Sequence, residues 1–383
     1  MIALSFRLTL HNVDVRLLYI KRSFRHPDLG SGLWILNPVI DSKPKGRARA
    51  SSTGRATLDD IAVKLGISSI TVSRAFRHPG KVADELRERI VKVADDLGYV
   101  RNRAASALAS ARSMNIAVII PSLGNAVFVD ILNGIEKVLR PRGYQMLLGV
   151  SHYSSEEEAA LVRAYLAFDP DGIILPSLNY RDSTRRLLER AGKPVVHLME
   201  LSDQPNIHCV GFSQEAAGKA MTEHLLAKGY KRIAFIASQL DSRTLARGRG
   251  YRDTLVEAGL YDPKREVMVP DPSSIALGGR LLERLLQQAP DTDAVFFCND
   301  DLAQGGLFEC ARRKIAVPSQ LAVAGFNDLS ASASTVPSLT TVATPRFDIG
   351  TQGANMLLAL IEHQKVSHSS IDLGFDLKRR EST

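Results

Sequence analysis

The chain has 383 residues, 45 % of them apolar and 23 % charged, with a formal net charge of +8, which is room for two or three domains with real cores. Its three cysteines, Cys209, Cys298 and Cys310, are too few and too scattered for a disulfide framework or a zinc site, and read as small buried hydrophobes. No apolar run reaches the roughly 18 residues of a membrane span, and the N-terminal MIALSFRLTLHNVDVRLLYIKRS breaks its apolar runs with Arg and Asp, a poor secretory signal; the expected location is the cytoplasm.

In chain order, residues 1–56 read as a disordered basic leader. They hold the only Trp, Trp34, with no sustained periodicity after it, and end in the Ser/Gly-rich basic piece DSKPKGRARASSTGRA. No Met occurs between Met1 and Met114, so a shorter chain would need a GUG or UUG start, at Val39 for example. Residues 1–113 carry 20 Lys/Arg against 10 Asp/Glu, and the remainder 29 against 31. A basic front on a near-neutral body points to a polyanion as partner.

Regular structure is expected from Thr57, which with Asp60 resembles a capping box. Leu58, Ile61, Ala62 and Leu65 then form one apolar face, and Gly66 ends that helix. Ser68 caps a second helix with Ile67, Val72, Ala75 and Phe76 inward, closed by Pro79-Gly80. A third helix, about 83–97, carries Leu86, Ile90, Val93 and Leu97 and stops at Gly98. Three short helices with a tight turn between the first two describe a helix-turn-helix unit, 57–101. On its second helix the hydroxyls of Ser68, Thr71 and Ser73 suit phosphates. Ser69, Ile70 and Arg74 face outward, where Arg reads guanine and Ile reaches only an apolar edge such as a thymine methyl. Residues 102–113 follow as a short helix of small residues, from Asn102, with Leu108 its one large apolar side chain. Such a helix packs closely across a dimer, and an exposed Leu can wedge into a minor groove.

Beyond 113, in the segment 114–383, short apolar runs alternate with amphipathic helices: NIAVII, YQMLLGV, DGIILP, PVVHLM, HCVGF, RIAFIA, EVMVP, DAVFFC and LAVAGF. Unalternated runs of this length suit strands covered on both faces, hence parallel sheets with helical crossovers. The echo between LRPRGYQMLLGVS (139–151) and LAKGYKRIAFIAS (226–238) predicts two similar α/β lobes with a hinge near 211–213 and a ligand cleft between them.

These stretches resemble the lac repressor (LacI) family. The resemblance is carried by LDDIAVKLGISSITVSRAFRHP, VADELRERIVKVADDLGYVRNRAASALAS, NIAVIIPSLGNAVF, DGIILP, CNDDLAQGGL and AGFND followed by PSLTTV, over about 57–377. SRAFRHPGKV, LDSRTLARGRGY, FECARRKIAVP and IDLGFDL are most similar to its gluconate-operon repressors. The resemblance implies a helix-turn-helix head on a two-lobed core like that of periplasmic binding proteins. It implies base reading by Ser69, Ile70 and Arg74, phosphate contacts by Ser68, Thr71, Ser73 and Arg77, and hinge contacts by Asn102, Ala105 and Leu108. Arg101 stands where many relatives carry Pro. For an effector, a small sugar or sugar acid such as gluconate, the matching positions are Phe128, Glu200, Arg247, Asn299 and Asn327, with Arg243 a further carboxylate partner. The partners implied are double-stranded operator DNA and a second copy of the chain, with no membrane, no metal and no cofactor.

Enzyme classes fail on their motifs. The chain has no GxGxxG after the first strand of the core, no GxxxxGK[ST], no GxSxG and no HExxH, and its nine His are scattered. The acidic pair Asp300-Asp301 reads as a helix start. A solute receptor of the periplasmic sugar-binding type would share the core but would lack the segment 57–110.

Overall fold

The computed structural model describes residues 5–10, 13–18, 56–100 and 112–383. Within the stretch expected to be a leader, Ser5–Leu10 (β1) and Val13–Leu18 (β2) pair as antiparallel strands. FRLTL and VDVRL each alternate over a few residues, a pattern too short to stand out along the leader and long enough for a hairpin. The leader expectation departs from the structure at this hairpin; Trp34 and the basic linker lie outside the described residues.

The head is three helices, Leu58–Leu65 (α1), Ser69–Arg77 (α2) and Asp84–Asp96 (α3). Thr57 Oγ1 accepts from the Asp60 backbone N–H at 3.3 Å while Asp60 Oδ2 accepts from the Thr57 N–H at 2.7 Å, so both halves of the capping box form. Gly66 takes φ 67°, the left-handed conformation that stops α1 and turns the chain toward α2. Ile61, Ala62, Val72, Ala75, Ile90 and Ala94 are buried, with Ile67, Phe76, Leu86, Val93 and Leu97 packed around them. With only Ile61, Val72 and Ile90 fully buried among the larger side chains, each contributing about 1.5–3 kcal/mol, and the three Ala less, the caps are a sizeable share of what holds this unit.

The core begins with β3 (Asn115–Ile120), α4 (Ala126–Leu139), β4 (Gln145–Val150), α5 (Ser155–Leu166), β5 (Gly172–Leu175), α6 (Asp182–Ala191), β6 (Val195–Leu198) and β7 (His208–Gly211). The chain then crosses into a second lobe: α7 (Gln214–Ala227), β8 (Ile233–Ser238), α8 (Ser242–Glu257), β9 (Glu266–Val269), α9 (Ile275–Gln288), β10 (Ala294–Phe297), α10 (Asp300–Arg313), β11 (Ala322–Asn327) and β12 (Thr340–Ala343). It returns with α11 (Arg346–Ile361) and β13 (Ser370–Asp372) to the first lobe and ends in the second with β14 (Asp376–Lys378). The sheets run β13-β7-β6-β5-β3-β4 and β14-β12-β11-β10-β8-β9, parallel except for β14.

All nine apolar runs read from the sequence are strands, and the lobe boundary at 211–213 is the first crossing. Two further crossings, 343–346 and 372–376, had no sequence signal. α11 fits back onto the first lobe because it packs on α4 at glycine: a Cβ on Gly134 would sit 2.2 Å from the Phe347 carbonyl, and one on Gly350 2.1 Å from that of Ile131. The echoed segments connect α4 to β4 and α7 to β8 through Gly143 and Gly229, at φ 76° and 93°.

Candidate nucleic-acid and effector sites

In the head, the Ser68 hydroxyl accepts from the Thr71 N–H at 3.2 Å and lies 2.9 Å from the Thr71 hydroxyl. Both groups therefore start the helix and remain at its exposed N-terminal end, where backbone N–H groups and the helix dipole favour a phosphate. Ile70 is 68 % exposed, Arg74 is exposed and forms no ion pair among the described residues, and Ser69 and Ser73 are half-exposed. The Arg77 side chain and residues Asn102, Ala105 and Leu108 lie outside the described residues.

In the core, five of the six expected effector positions line one cleft between the lobes: Phe128, Arg243, Arg247, Asn299 and Asn327. Glu200, after β6, sits at its side. Its carboxylate accepts from Leu178 N–H at 2.7 Å and Ser177 Oγ at 3.3 Å in its own lobe, and from Ser242 Oγ of the other lobe at 2.5 Å. Arg243 also spans the lobes. It ion-pairs with Asp241 at 2.5 Å, donates to the Pro176 carbonyl at 3.5 Å and lies over the Phe128 ring. Burial opposes its charge, but Asp241 and Glu200 outweigh burial and raise its pKa. Arg243 is thus already neutralised.

Arg247 is not. It is 6 % exposed, and its guanidinium donates to neutral acceptors, Gln214 Oε1 at 2.8 Å and the Cys298 carbonyl at 2.7 Å, above the Phe326 ring. No carboxylate of the described residues lies within ion-pair distance, and burial pulls its pKa down to about 10. In the same cleft the Asn327 Oδ1 is buried without a hydrogen-bond partner. The cleft therefore holds a buried cation with no ion pair, its charge aided only at longer range by Asp241, and an unsatisfied acceptor, an arrangement that a ligand with an acid group and hydroxyl donors completes.

Asn299 combines two roles. It caps α10 by accepting from Leu302 N–H at 3.0 Å and also lines the cleft, donating to Ser273 Oγ at 2.9 Å. Asp300 is a buried hub for the neighbouring loop, accepting from Leu329 N–H, Ser332 Oγ and Thr341 Oγ1 at 2.7–2.8 Å, with burial raising its pKa to about 6.

Several cleft residues carried no sequence signal. The mouth, a cavity of about 310 Å³, is walled by Ser151, Tyr153, Glu158 and Asn179 of one lobe and Asp241 and Ser242 of the other. Glu158 sits in SSEEEAAL, which reads as a solvated helix start, yet it is 7 % exposed and burial raises its carboxyl to about 7. Asp241 caps α8 and holds Arg243. Among the described residues no cluster of His, Cys, Asp and Glu would hold a metal ion, and no helix is long and apolar enough to cross a membrane.

A helix-turn-helix head joined in one chain to a two-lobed ligand-binding core defines a ligand-controlled DNA-binding regulator. Comparison places it further. Residues 57–102 match the model of bacterial regulatory proteins of the lacI family, and residues 222–383 that of a periplasmic binding protein-like domain. Over 339 residues, 88 % of this chain and 99 % of the relative, it is 50 % identical to the HTH-type transcriptional regulator GntR of Pseudomonas aeruginosa. It is 39 % identical to the regulator IdnR of Escherichia coli, over 84 % of this chain and 97 % of that one. Among solved structures it resembles transcription regulator GntR from Chromobacterium violaceum (TM-score 0.69, 48 % identity, 70 % and 98 % of the two chains). It also resembles the lac repressor dimer bound to operator and an anti-inducer (TM-score 0.75, 26 % identity, 86 % and 99 %). The chain belongs to the lacI family of bacterial regulatory proteins. It is a sequence-specific DNA-binding transcription regulator, and the periplasmic-receptor alternative is excluded.

Proposed function

We propose that this regulator represses transcription as a homodimer and that a sugar acid, gluconate before others, controls its hold on operator DNA. The observation that carries the effector reading is Arg247, a buried guanidinium without an ion pair, in the same cleft as the unpaired Asn327 oxygen. A carboxylate entering the cleft neutralises that charge, while hydroxyls meet Asn299, Asn327 and Glu200. Ligand contacts at Glu200 and Arg243 compete with the Ser242–Glu200 and Arg243–Pro176 bonds that now join the lobes. A ligand with different affinity for two lobe arrangements shifts the balance between them, and with it operator affinity.

On DNA, Ser69, Ile70 and Arg74 read bases in the major groove. Ser68, Thr71, Ser73 and Arg77 hold phosphates, and Asn102, Ala105 and Leu108 of the hinge segment enter the minor groove between two half-sites. The domain assignment that goes with this is 57–101 for the head, 102–113 for the hinge and 114–383 for effector binding and dimerisation. Phe308 and Ile275, exposed on the packed pair α9–α10, and Val336 at 95 % exposure are apolar surface for a second copy to cover. The chain acts in the cytoplasm without cofactor or catalytic step. Titration calorimetry with gluconate against glucose, which has the same carbon skeleton and no carboxylate, tests the effector reading. Gluconate binding at least about tenfold tighter, near 1.4 kcal/mol, is expected; equal affinities would refute the acid partner.

A further inference from the structure

The first lobe carries a second cavity, of about 660 Å³, on the far side of the loop that walls the effector cleft. That volume is in the range of small-molecule sites. Its wall is mixed: Leu188, Val195, Ile207 and Leu360 are apolar, Glu189 and Gln204 are among the polar residues, and two further polar groups in it suit an acid and a hydroxyl. Arg185 lies over the Tyr180 ring, 5.2 Å to its centroid, with no carboxylate within ion-pair distance among the described residues. By contrast, Lys193 at the same cavity is paired with Asp169 at 2.6 Å.

The other group is His197, 4 % exposed and stacked on Tyr180. Its Nδ1 is 3.0 Å from the Ser177 carbonyl and must carry the proton to bond it. Burial pulls the ring's pKa down to about 4, so the ring is neutral and Nε2 is a bare acceptor with no protein donor. His197 lines the cavity, so a ligand's donor can reach this acceptor.

We infer that this cavity is a second small-molecule site, for a cyclic hydroxy acid whose ring packs on the apolar part of the wall, whose carboxylate pairs with Arg185 and whose hydroxyl donates to His197 Nε2. Its occupancy bears on the effector cleft through one short path. His197 holds the Ser177 carbonyl, and Ser177 Oγ and Leu178 N–H both bond Glu200, which bonds Ser242 of the other lobe. Tyr180 on the same loop is a wall of the cavity, while Ser177 and Asn179 line the cleft mouth.

The full-length protein is titrated with para-hydroxybenzoate, with benzoate and phenol as arms lacking the hydroxyl and the carboxylate. One saturable site per chain is expected, with Kd about 1 mM or tighter, as suits so small a ligand, and both arms weaker by at least about fivefold. Arg185→Met should bring para-hydroxybenzoate to the affinity of phenol, and His197→Phe, which keeps the stack, to that of benzoate. Should either variant fail to fold, histidine-labelled wild-type protein gives the answer by NMR: the His197 resonance shifts at saturation, and an unmoved resonance overturns the site. Competition by gluconate that raises the probe's apparent Kd in proportion to gluconate without levelling off would place the probe in the cleft and overturn it as well; a shift that levels off is the coupling expected from the path, and a cleft that refuses gluconate leaves this titration unaffected. Amide exchange at Leu178 should change several-fold at saturation; unchanged exchange would overturn the path to Glu200.

Discussion

Arg247→Met separates a buried cation with no ion pair from an ordinary buried ion pair. The folded protein lowers the Arg247 pKa from 12.5 to about 10, and at 1.36 kcal/mol per unit this is about 3 kcal/mol of cost for holding the charge in the empty cleft. Because the folded pKa is the lower one, the cost is fully present at any pH below about 10. Met fills much of the same volume and removes it. Against this relief stand two lost hydrogen bonds, to Gln214 and the Cys298 carbonyl, and the contact with the Phe326 ring. Those losses are worth roughly 2–4 kcal/mol together. The empty variant should therefore lie within about 2 kcal/mol of the parent in urea unfolding, where breaking a compensated buried pair would lose about 3–5 kcal/mol. With gluconate at a hundred times its Kd the parent gains about 2.7 kcal/mol, and the variant should gain almost none. A loss of about 4 kcal/mol in the empty protein would show the charge already paired, and an undiminished gluconate gain would show that the acid binds elsewhere.

Three further outcomes follow from the same geometry. Glu158 has its folded pKa raised to about 7 from 4.5, so its neutral form is fully tolerated below 4.5 and stability falls as pH rises through 7; Glu158→Gln should remove that slope and be up to about 3 kcal/mol more stable at pH 8, and parallel stability–pH curves would contradict it. Asp300→Ala leaves Leu329 N–H, Ser332 Oγ and Thr341 Oγ1 without their acceptor, so a loss of about 3–5 kcal/mol is expected by urea unfolding, and a loss below about 1 kcal/mol would deny its role as hub. Arg74→Ala should weaken operator binding by about 1–3 kcal/mol and relax specificity at one base pair; an equal loss on random duplex would assign Arg74 to phosphate.

What the sequence made legible is what depends on local pattern. The capping box at Thr57 and Asp60, the stop at Gly66, the cap at Ser68 and the nine apolar strands each follow from a few adjacent residues. TTVA (340–343) was missed because its threonines do not read as an apolar run, although Thr340 and Thr341 are fully buried with their hydroxyls bonded. The later lobe crossings were missed because a chain leaving one sheet for another carries no local mark. Glu158 and Asp241 illustrate the same limit in the site. A carboxylate near a helix start looks solvated until the fold sets it in the wall of a cavity shared with residues some 85 positions away in the sequence. Arg247 was placed by resemblance, and its lack of an ion pair became visible only with the cleft around it.

On the function proposed above, one chain reads a DNA sequence through α2 and releases it on binding a sugar acid. The most direct test of this is fluorescence anisotropy on a duplex selected by this protein from a randomised pool, at fixed salt, with and without saturating gluconate. Affinity at least about a thousandfold above random duplex is expected, falling by about tenfold or more with gluconate and unmoved by glucose. Operator affinity that stays the same at saturating gluconate, with binding verified by calorimetry, would contradict it.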